Sequence, residues 1–486
     1  MARYDVLLDG MMAASQTTST PWFVMDKALM PRPRPRNGRA PFAPLGLRRI
    51  QAALVRDGFD TDNVAVSDDA HLDGAIGSQT QIVAISSGEP TGVGMSSTTM
   101  AGVTGGKIHP QVMFTQLLEQ VRRLVALRCP QAKIVLGGPG AWQLAQDPAL
   151  LSSLGLDHVV VGYAEKNVAK TFTDLLNATD LPPVIHGAPP TADGIPPILG
   201  PTTMGVVEIS RGCGLGCNFC TLAGTPMIDV PPETVIADVR TNIAAGIRSI
   251  AALSEDFFRY GADGARCRPE AAMGLLARLR ETEGLRLIQI DHANVSSIAQ
   301  YTDEQLAWVA ATLVGDTGSR HPWVNVGVET ASADLLRRNG GGPKMAATGH
   351  GQWSEQCGEQ LRRLGAAGFI PMASLMVGLP GESQDDVQLT LDWVRSLTDA
   401  PVTIFPVLYA PLDSAPPGPA DLTRLQWRLV RECYEFNFKW VPRLYWDSQT
   451  GAGVGVLRRM MFQVLGRAQV PLWRFYLAGH ARRAVQ

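Results

Sequence analysis

Three cysteines that lie within eight residues are the part of this sequence whose types and spacing can do chemistry. Cys213, Cys217 and Cys220 form a C-x-x-x-C-x-x-C motif, and thiolates at these spacings can wrap one iron–sulfur cluster. Gly214 and Gly216 let the chain fold tightly around it. A structural zinc or an electron-transfer cluster normally has its coordination shell filled by protein. Three ligands therefore predict a cube of iron and sulfur with one iron open for an exogenous ligand.

Other interpretations of the cysteines are a zinc site completed by a distant His or Cys, a non-catalytic iron–sulfur electron carrier, and three unrelated residues. The chain has seven cysteines, an odd number in 486 residues, which argues against a disulfide scaffold. Cys129 and Cys357 are expected to be small buried hydrophobic residues. Cys267 and Cys433 give no spacing signal for a second site.

The composition bounds the class of protein. A length of 486 residues predicts about three domains, or two with a C-terminal appendage. Hydrophobic residues make up 45% and charged residues 18%, which favours a large core. The net charge of −2 gives no basic field, so we expect no nucleic-acid partner. No apolar run reaches about 18 residues and Asp5 and Asp9 interrupt the N-terminus, so we expect no transmembrane span, no secretion and a cytoplasmic location.

The elements that must position the cysteines form two α/β series. Before them, short apolar runs alternate with helices and predict a Rossmann-like parallel sheet covered on both faces. The predicted strands are 63–66, 81–86, 133–136 and 158–161, and the predicted helices are 45–55, 112–127 and 165–176. The glycine-containing loops 86–94 and 137–140 would lie at strand ends. They could approach a ligand closely or be ordinary tight turns.

A second series, after the Pro- and Gly-rich stretch 182–201, predicts a partial (β/α)6 barrel with its active site at the carboxyl ends of the strands. The predicted strands are 205–209, 249–253, 286–290, 323–328, 370–377 and 402–405, and the helices are 232–245, 271–280, 354–367 and 385–397. The domain prediction is an N-terminal arm (1–40), an α/β domain (41–181), a linker (182–202), a barrel (203–410) and a helical C-terminal region (411–486).

The cysteine motif after the first barrel strand resembles that of radical S-adenosylmethionine (SAM) enzymes, and the resemblance runs from about Thr203 to Pro406. It implies a [4Fe–4S] cluster whose open iron binds the amino and carboxylate groups of SAM. One electron then breaks the sulfur–C5′ bond, and a 5′-deoxyadenosyl radical takes a hydrogen atom from the substrate. It also implies an electron donor, a reductase or a flavodoxin or ferredoxin.

The same resemblance implies positions that contact SAM. Ser254, Glu255 and Asp256 end the second strand and resemble the segment that receives the SAM amino group. Glu329 resembles the fourth-strand residue that meets the ribose hydroxyls, although a helix-capping role is the alternative. Gly378 belongs to a loop that lines the adenine pocket. Phe219 would lie against adenine or pack under its loop. His292 follows the third strand, and its alternatives are a hydrogen-bonded structural role and contact with substrate or SAM.

The N-terminal region resembles the cobalamin-binding-type domain that precedes many radical SAM barrels, through segments 44–50, 137–140 and 159–165. Segments 86–94, 137–144 and 254–261 resemble the archaeal tetraether-lipid synthase subgroup, which implies a lipid-like or other hydrophobic substrate. Too few cysteines remain for the additional metal sites of those enzymes. His71 lies in a D-x-H-x-x-G pattern that can ligate cobalt, but its place after strand 63–66 favours chance agreement. Cobalamin bound without a protein ligand stays open.

The two ends of the chain carry basic segments. Residues 31–36 alternate Pro and Arg and predict an extended, solvated arm, with contact to an acidic partner or membrane surface as the alternative. Residues 440–482 mix arginines with Met, Leu and aromatic residues, which predicts a basic amphipathic helix pair. The pair either packs on the barrel or rests on a membrane or lipid-like substrate. The combined prediction is radical attack on an unactivated C–H bond followed by carbon–carbon bond formation, or cobalamin-dependent C-methylation.

Overall fold

A computed structural model describes residues 16–18, 20–25, 38–346, 353–412 and 418–484. It shows a mixed α/β fold with parallel sheets, as the sequence predicts. The Pro/Arg run at 31–36 and most of the predicted N-terminal arm lie outside the described residues.

The N-terminal region is a four-stranded parallel sheet in the order β1-β2-β3-β4. Its strands are β1 (Ile82–Ser86), β2 (Lys133–Gly137), β3 (His158–Val161) and β4 (Val184–His186). The helices of this region are α1 (Trp22–Val24), α2 (Leu45–Arg56), α3 (Leu72–Ala75), α4 (Met95–Thr104), α5 (His109–Arg128), α6 (Trp142–Ala145), α7 (Pro148–Ser153) and α8 (Val168–Leu176). Apolar residues of β1, β2 and β3 pack with those of α5 in one core, which burial of the apolar side chains stabilises.

Six parallel strand positions follow in two sheets, β5-β8-β9 and β10-β11-β12-β13. Asp291 alone separates β9 from β10, so these two strands occupy one position. The strands are β5 (Val206–Glu208), β8 (Ser249–Leu253), β9 (Leu287–Ile290), β10 (His292–Asn294), β11 (Trp323–Glu329), β12 (Ile370–Val377) and β13 (Thr403–Leu408), and a short antiparallel pair is formed by β6 (Ser210–Arg211) and β7 (Ile228–Asp229). This arrangement is the predicted partial barrel.

Helices separate the barrel strands. They are α9 (Pro232–Ala244), α10 (Pro269–Arg280), α11 (Val295–Ile298), α12 (Asp303–Val314), α13 (Ala333–Arg338), α14 (Trp353–Ala366) and α15 (Gln384–Ser396). The strands are nearly all buried, and their side chains form one large core with the helices. The hydrophobic runs that predicted the strands are therefore those of a sheet covered on both faces.

Two long helices, α16 (Arg424–Gly451) and α17 (Val456–Arg483), follow the barrel and pack on each other as a pair. Both helices lie within the predicted helical region 411–486. Each continues through an internal proline, Pro442 in α16 and Pro471 in α17. Within the described part of the chain, no helix has the length and hydrophobicity required to span a membrane.

Two predicted elements differ from the structure. Residues 63–66 form no strand; the backbone carbonyl of Val66 accepts one hydrogen bond, from Ala40 N–H (2.9 Å). The predicted linker 182–202 begins with a strand, because β4 pairs with β3 in the N-terminal sheet. The Pro-rich flanks of Val184–His186 hid this three-residue strand, since proline removes a donor and favours extended loops.

Candidate active site

The cysteine loop lies between β6 and β7, whose antiparallel pairing closes its base. Gly212 has a φ of +62°, and a Cβ atom there would lie 2.6 Å from the carbonyl oxygens of Thr225 and Pro226. Only glycine fits such a left-handed, close-packed position. Gly214 N–H donates to Thr225 O at 3.1 Å. The backbone of the loop is therefore shaped for a tight turn that carries the three cysteines.

Two neighbouring segments hold the loop from outside. Arg259 Nη1 donates to the carbonyl of Cys213 at 2.7 Å. Asn218 N–H donates to the carbonyl of Asn339 at 3.1 Å. The loop thus rests on the segments that follow the second and fourth strand positions of the barrel, at the carboxyl ends of the strands.

The three thiols interact electrostatically with one another. Burial raises the pKa of the Cys217 thiol to about 11, Lys344 partly offsets this effect, and Cys213 and Cys220 raise the pKa further. Burial also raises the pKa of Cys220, and the N–H of Leu222, 3.3 Å from its Sγ, lowers it in part. Bound iron would compensate buried thiolate charge, as metals deprotonate their thiol ligands. The donor set therefore fits a cluster.

No group of three or more His, Cys, Asp or Glu side chains in the described ranges is arranged to hold a single metal ion. The other four cysteines are all buried. Burial raises the pKa of Cys267 to about 12, and the Cys357 pKa lies well above its ordinary value for the same reason. These four side chains pack in the hydrophobic cores as small apolar groups, in line with the expectation for Cys129 and Cys357.

Glu329 ends β11 in a buried ion pair with Lys344, each side chain 7% exposed. The backbone of Glu329 has a φ of +66°, and the register of β11 on β12 shifts between Gly327 and Glu329. A non-glycine residue in this conformation carries strain, which is common at functional sites. Burial tends to lower the pKa of Lys344, but the charges of Glu329 and Cys217 outweigh it, so that the pKa is raised. A cation is thus held beside the cysteines.

Of the three acidic-loop residues expected at the SAM amino group, two have their polar groups engaged within the protein. Asp256 is fully buried and accepts hydrogen bonds from Asn294 Nδ2 (2.9 Å) and Ser297 Oγ (2.7 Å). Ser254 Oγ lies 2.7 Å from Ser210 Oγ. These contacts fasten the strand ends to one another. Glu255 is the residue of the three that we retain as a candidate ligand contact.

Glu255 faces other charged groups at the barrel mouth. Burial raises its pKa, His292 lowers it and Asp291 raises it. Glu255 also contributes to the electrostatic environment of Cys220. A carboxylate at this position can accept hydrogen bonds from an ammonium group.

The two candidate adenine contacts, Phe219 and Gly378, have different surroundings. Phe219 is 5% exposed and belongs to the main apolar core, so the structure shows it packed under the cysteine loop. Gly378 has a φ of +86°, and its N–H donates to Glu382 Oε2 at 3.0 Å. Gln426 Nε2 donates to the same Glu382 oxygen at 2.6 Å. This loop is therefore tied to α16, and contact of either residue with adenine remains a proposal.

His292 lies at the mouth beside Asp291, with 3.0 Å between Nδ1 and the nearer carboxylate oxygen and 45% of its side chain exposed. Burial tends to lower its pKa, but the charges of Asp291, Glu255 and Glu329 raise it to about 9. The imidazole is therefore protonated at neutral pH. His292 places a second cation among the carboxylates of the mouth.

We expect a pH titration of the metal-free chain, labelled at its histidine rings for NMR, to show one histidine with a pKa of about 9. Because the folded pKa lies above the ordinary value of about 6.5, the stabilisation is fully present below that value and is lost as the pH rises through about 9. His292→Gln should remove this resonance and leave the others in place. A His292 resonance that titrates near the ordinary value would contradict the assignment.

Two loops at the carboxyl end of the N-terminal sheet pack against each other. Gly138 has a φ of +95°, and a Cβ there would lie 2.6 Å from Ser86 Oγ. Gly140 N–H donates to Ser87 O (2.9 Å), and Ser87 N–H donates to Gly137 O (3.1 Å). These contacts show that the glycines serve the packing of loop on loop. Close approach of these loops to a ligand stays a prediction.

A buried ionic network joins the two α/β regions next to the cysteine loop. Arg211 donates to Glu208 (Nε–Oε1 and Nη2–Oε2, both 2.8 Å) and to Glu165 (Nη2–Oε1, 2.6 Å). Its guanidinium also lies 4.3 Å from the ring centroid of Tyr163. Arg49 of α2 pairs with Asp238 of α9 at 2.6 Å. Because Arg211 lies two residues before Cys213, the network connects the end of β3 to the cysteine loop.

His71 is buried, but it does not sit at the end of a sheet strand. Its Nδ1 pairs with Asp68, three residues earlier, and α3 begins at the next residue. Its Nε2 has no hydrogen-bond partner among the described residues. A cavity of about 2000 Å³ lies along the flank of β1, and none of the cysteines, Glu255 or Glu329 lines it. Neither feature belongs to the candidate site.

Sequence reasoning missed Lys344 and Arg211. Lys344 lies in a Gly- and Pro-containing segment with no motif, so no signal in the sequence could have identified it. Arg211 immediately precedes the cysteine loop, and Glu165 closes one of the segments that resembled a cobalamin-binding-type domain. The positions of Arg211 and Glu165 could have marked both as site residues, although the sequence does not show that they pair.

Part of this chain is similar to known proteins. Residues 207–394 match the Radical SAM superfamily. The chain is 31% identical over 198 residues to the ribosomal protein uS12 methylthiotransferase RimO of Moorella thermoacetica, covering 40% of this chain and 41% of that protein. It is 25% identical over 275 residues to RimO of Bordetella pertussis, covering 51% and 58%. The chain thus spans about half the length of the curated relatives it matches.

Among solved structures, the radical SAM methyltransferase TsrM from Kitasatospora setae has a similar fold. The TM-score is 0.53 at 18% identity, over 77% of this chain and 72% of that one, for TsrM with tryptophan substrate and a SAM analogue bound. A second TsrM structure, with cobalamin and a [4Fe–4S] cluster bound, gives the same TM-score at 17% identity. Residues 207–394 therefore form a radical SAM domain, and such a domain implies a [4Fe–4S] cluster and SAM. The tetraether-lipid subgroup is not shown by these relatives.

Proposed function

We propose that this protein is a radical SAM enzyme in which Cys213, Cys217 and Cys220 hold a [4Fe–4S] cluster. The observation that carries the proposal is the meeting of the three thiols, two carboxylates and a buried lysine at the carboxyl ends of the barrel strands. When bound, the cluster supplies one electron that cleaves SAM and gives a radical able to take a hydrogen atom from a substrate C–H bond. The electron would come from a reductase, flavodoxin or ferredoxin.

The residues of the mouth have complementary charges for SAM. Glu255 would accept from the ammonium group, and Lys344 would meet the carboxylate. Lys344 holds the Glu329 carboxylate on one oxygen, Oε1. The other oxygen, Oε2, accepts from Ser374 Oγ at 3.5 Å and would also accept from ribose hydroxyls. Tyr163 interacts electrostatically with Glu255 and would cover this side of the mouth, which would help to exclude water from the site.

The full chain, reconstituted anaerobically with iron and sulfide and reduced with dithionite, should convert SAM to 5′-deoxyadenosine and methionine. Reactions without reductant, and reactions with S-adenosylhomocysteine in place of SAM, are the controls and should give neither product. A protein that takes up a [4Fe–4S] cluster but does not bind SAM would be an electron carrier. A colourless protein that contains zinc would refute the proposal as well.

A second candidate is cobalamin-dependent methyl transfer to carbon, and one observation favours it. The carboxyl end of β3 lies against the mouth, since Glu165 pairs with Arg211 and Tyr163 interacts with Glu255. In a parallel sheet this edge is where ligands bind. When bound there, cobalamin would supply the methyl group. The fold similarity to TsrM supports this candidate, whereas the comparisons give no support to coupling of lipid carbons.

Anaerobic purification followed by an absorption spectrum separates these reactions. A stoichiometric corrinoid, or tight uptake of hydroxocobalamin by the reconstituted chain, would support methyl transfer. If the chain cleaves SAM but takes up no corrinoid, the methyl-transfer candidate is wrong and the radical is used in a cobalamin-free reaction.

A further inference from the structure

The first half of α17 leaves a continuous apolar face exposed. Leu457 is 85% exposed, Val464 68%, Met460 54% and Met461 43%. At 3.6 residues per turn these side chains follow one line along the helix. We call them the α17 stripe. Only Phe462 and Leu477 of the 28 residues of α17 are buried. A monomeric soluble protein rarely leaves such a row of large apolar side chains uncovered.

The charges of α17 are of one sign. The helix contains six arginines and no Asp or Glu. At 100° per residue, Arg458 and Arg467 fall on opposite sides of the α17 stripe. An apolar stripe with an arginine on each side is the pattern of a helix that lies in a membrane interface. The methylene groups of the arginines then pack with apolar material, and their guanidinium groups contact phosphate.

A basic cleft adjoins this helix. It has a volume of about 800 Å³, and four arginines line it, Arg320, Arg443, Arg459 and Arg467. Arg443 and Arg459 lie over the rings of Trp440 and Trp446, with 4.9 and 4.5 Å from guanidinium carbon to ring centroid. Among the described residues Arg459 Nε is buried without a hydrogen-bond partner. The lining of the cleft therefore combines positive charge with amphipathic aromatic rings. Asp447 contributes a carboxylate to the same lining.

We infer that the α17 stripe and the basic cleft together dock this protein on an anionic phospholipid surface. The stripe supplies apolar area for the acyl boundary, the cleft accepts a lipid phosphate, and Trp440 and Trp446 occupy the interface. Charge complementarity selects this occupant, because a second copy of the same all-basic helix would repel it. The inference is independent of the proposed function.

The position of the cleft sets how the docked enzyme is oriented. Its lining includes His321, just before β11, and Ile370, the first residue of β12. It lies at the amino-terminal ends of the barrel strands, whereas the cysteine loop lies at their carboxyl ends. The docked protein therefore turns its active-site mouth away from the bilayer. Docking would therefore place the enzyme at the membrane without bringing lipid into the candidate active site.

The test is co-sedimentation of the full chain with phosphatidylcholine vesicles that contain phosphatidylglycerol, beside vesicles of phosphatidylcholine alone. We expect binding to the anionic vesicles that high salt weakens. Arg458→Gln with Arg467→Gln should weaken it about 25-fold, since each surface arginine contributes about fivefold. Leu457→Glu with Val464→Glu should weaken it by at least about tenfold. Soluble glycerol phosphate should compete poorly with the vesicles.

The matched control is Leu127→Glu with Leu389→Glu, two leucines exposed by 76% and 46% on other helices, which should bind vesicles as the unaltered chain does. Equal loss in this control would show a general effect of added charge and overturn the inference. Failure of the unaltered chain to sediment with anionic vesicles would also overturn it. So would a dimer that Leu457→Glu dissociates, because the stripe would then be a subunit interface.

Discussion

Replacement of Cys217 by alanine is expected to leave the protein without a [4Fe–4S] cluster and without detectable SAM cleavage. Cys217 is the middle cysteine of the motif, the second of the three proposed ligands, and 6% exposed. Two remaining thiolates provide too few attachments for a cube that needs three protein ligands and keeps its fourth iron open. The readouts are the visible absorbance and iron content after anaerobic reconstitution, and the amount of 5′-deoxyadenosine formed from SAM.

Cys129→Ala is the matched control, because Cys129 is buried to the same 6% but belongs to the core of the N-terminal sheet. It should keep both cluster and activity. If Cys217→Ala retained cluster and 5′-deoxyadenosine formation, the assignment of the three cysteines would be wrong. If the control lost both, the effect of Cys217→Ala could be assigned to loss of the fold, and circular dichroism of both variants would show this.

The second large effect concerns stability. Arg211→Met should lower the free energy of unfolding by about 3–5 kcal/mol, because it leaves the Glu165 carboxylate buried without its partner and Glu208 with Arg49 alone, at 3.7 Å. The side chains of Arg211, Glu165 and Glu208 are 2%, 4% and 6% exposed. Methionine keeps much of the volume of the arginine side chain. The loss of unfolding free energy therefore measures the effect of removing the positive charge. The midpoint of urea unfolding of the metal-free chain measures it.

Two comparisons test the reason for this loss. Arg337→Met removes a surface pair with Asp334, whose side chains are 43% and 76% exposed, and should cost less than about 1 kcal/mol. Adding Glu165→Gln and Glu208→Gln to Arg211→Met should restore most of the stability, since no uncompensated charge then remains. Similar small losses for Arg211→Met and Arg337→Met would show that the network contributes no more than an exposed ion pair.

The barrel strands could be read from the sequence because each is buried on both faces. Runs such as 370–377 and 249–253 are apolar except for one serine each, Ser374 and Ser249, and the structure forms strands with these same bounds. The short strand Val184–His186 could not be read, because three residues between prolines carry no periodic signal. The segment 63–66 has the composition of a strand, but in the described structure only Val66 forms a backbone hydrogen bond with another segment.

The candidate site also has one part that the sequence predicts and another part that only the tertiary structure shows. The spacing of Cys213, Cys217 and Cys220 is local, so the sequence by itself predicted a cluster at this loop and determined the radical SAM domain around it. Pairings between distant residues, such as Glu329 with Lys344 and Arg211 with Glu165, were decided only by the tertiary structure. The chain meets itself at those points after 15 and 46 residues, and no local pattern encodes which charges a fold will bury together. The fold also turned Asp256 inward, where its hydrogen bonds stabilise the site, and left Glu255 at the mouth.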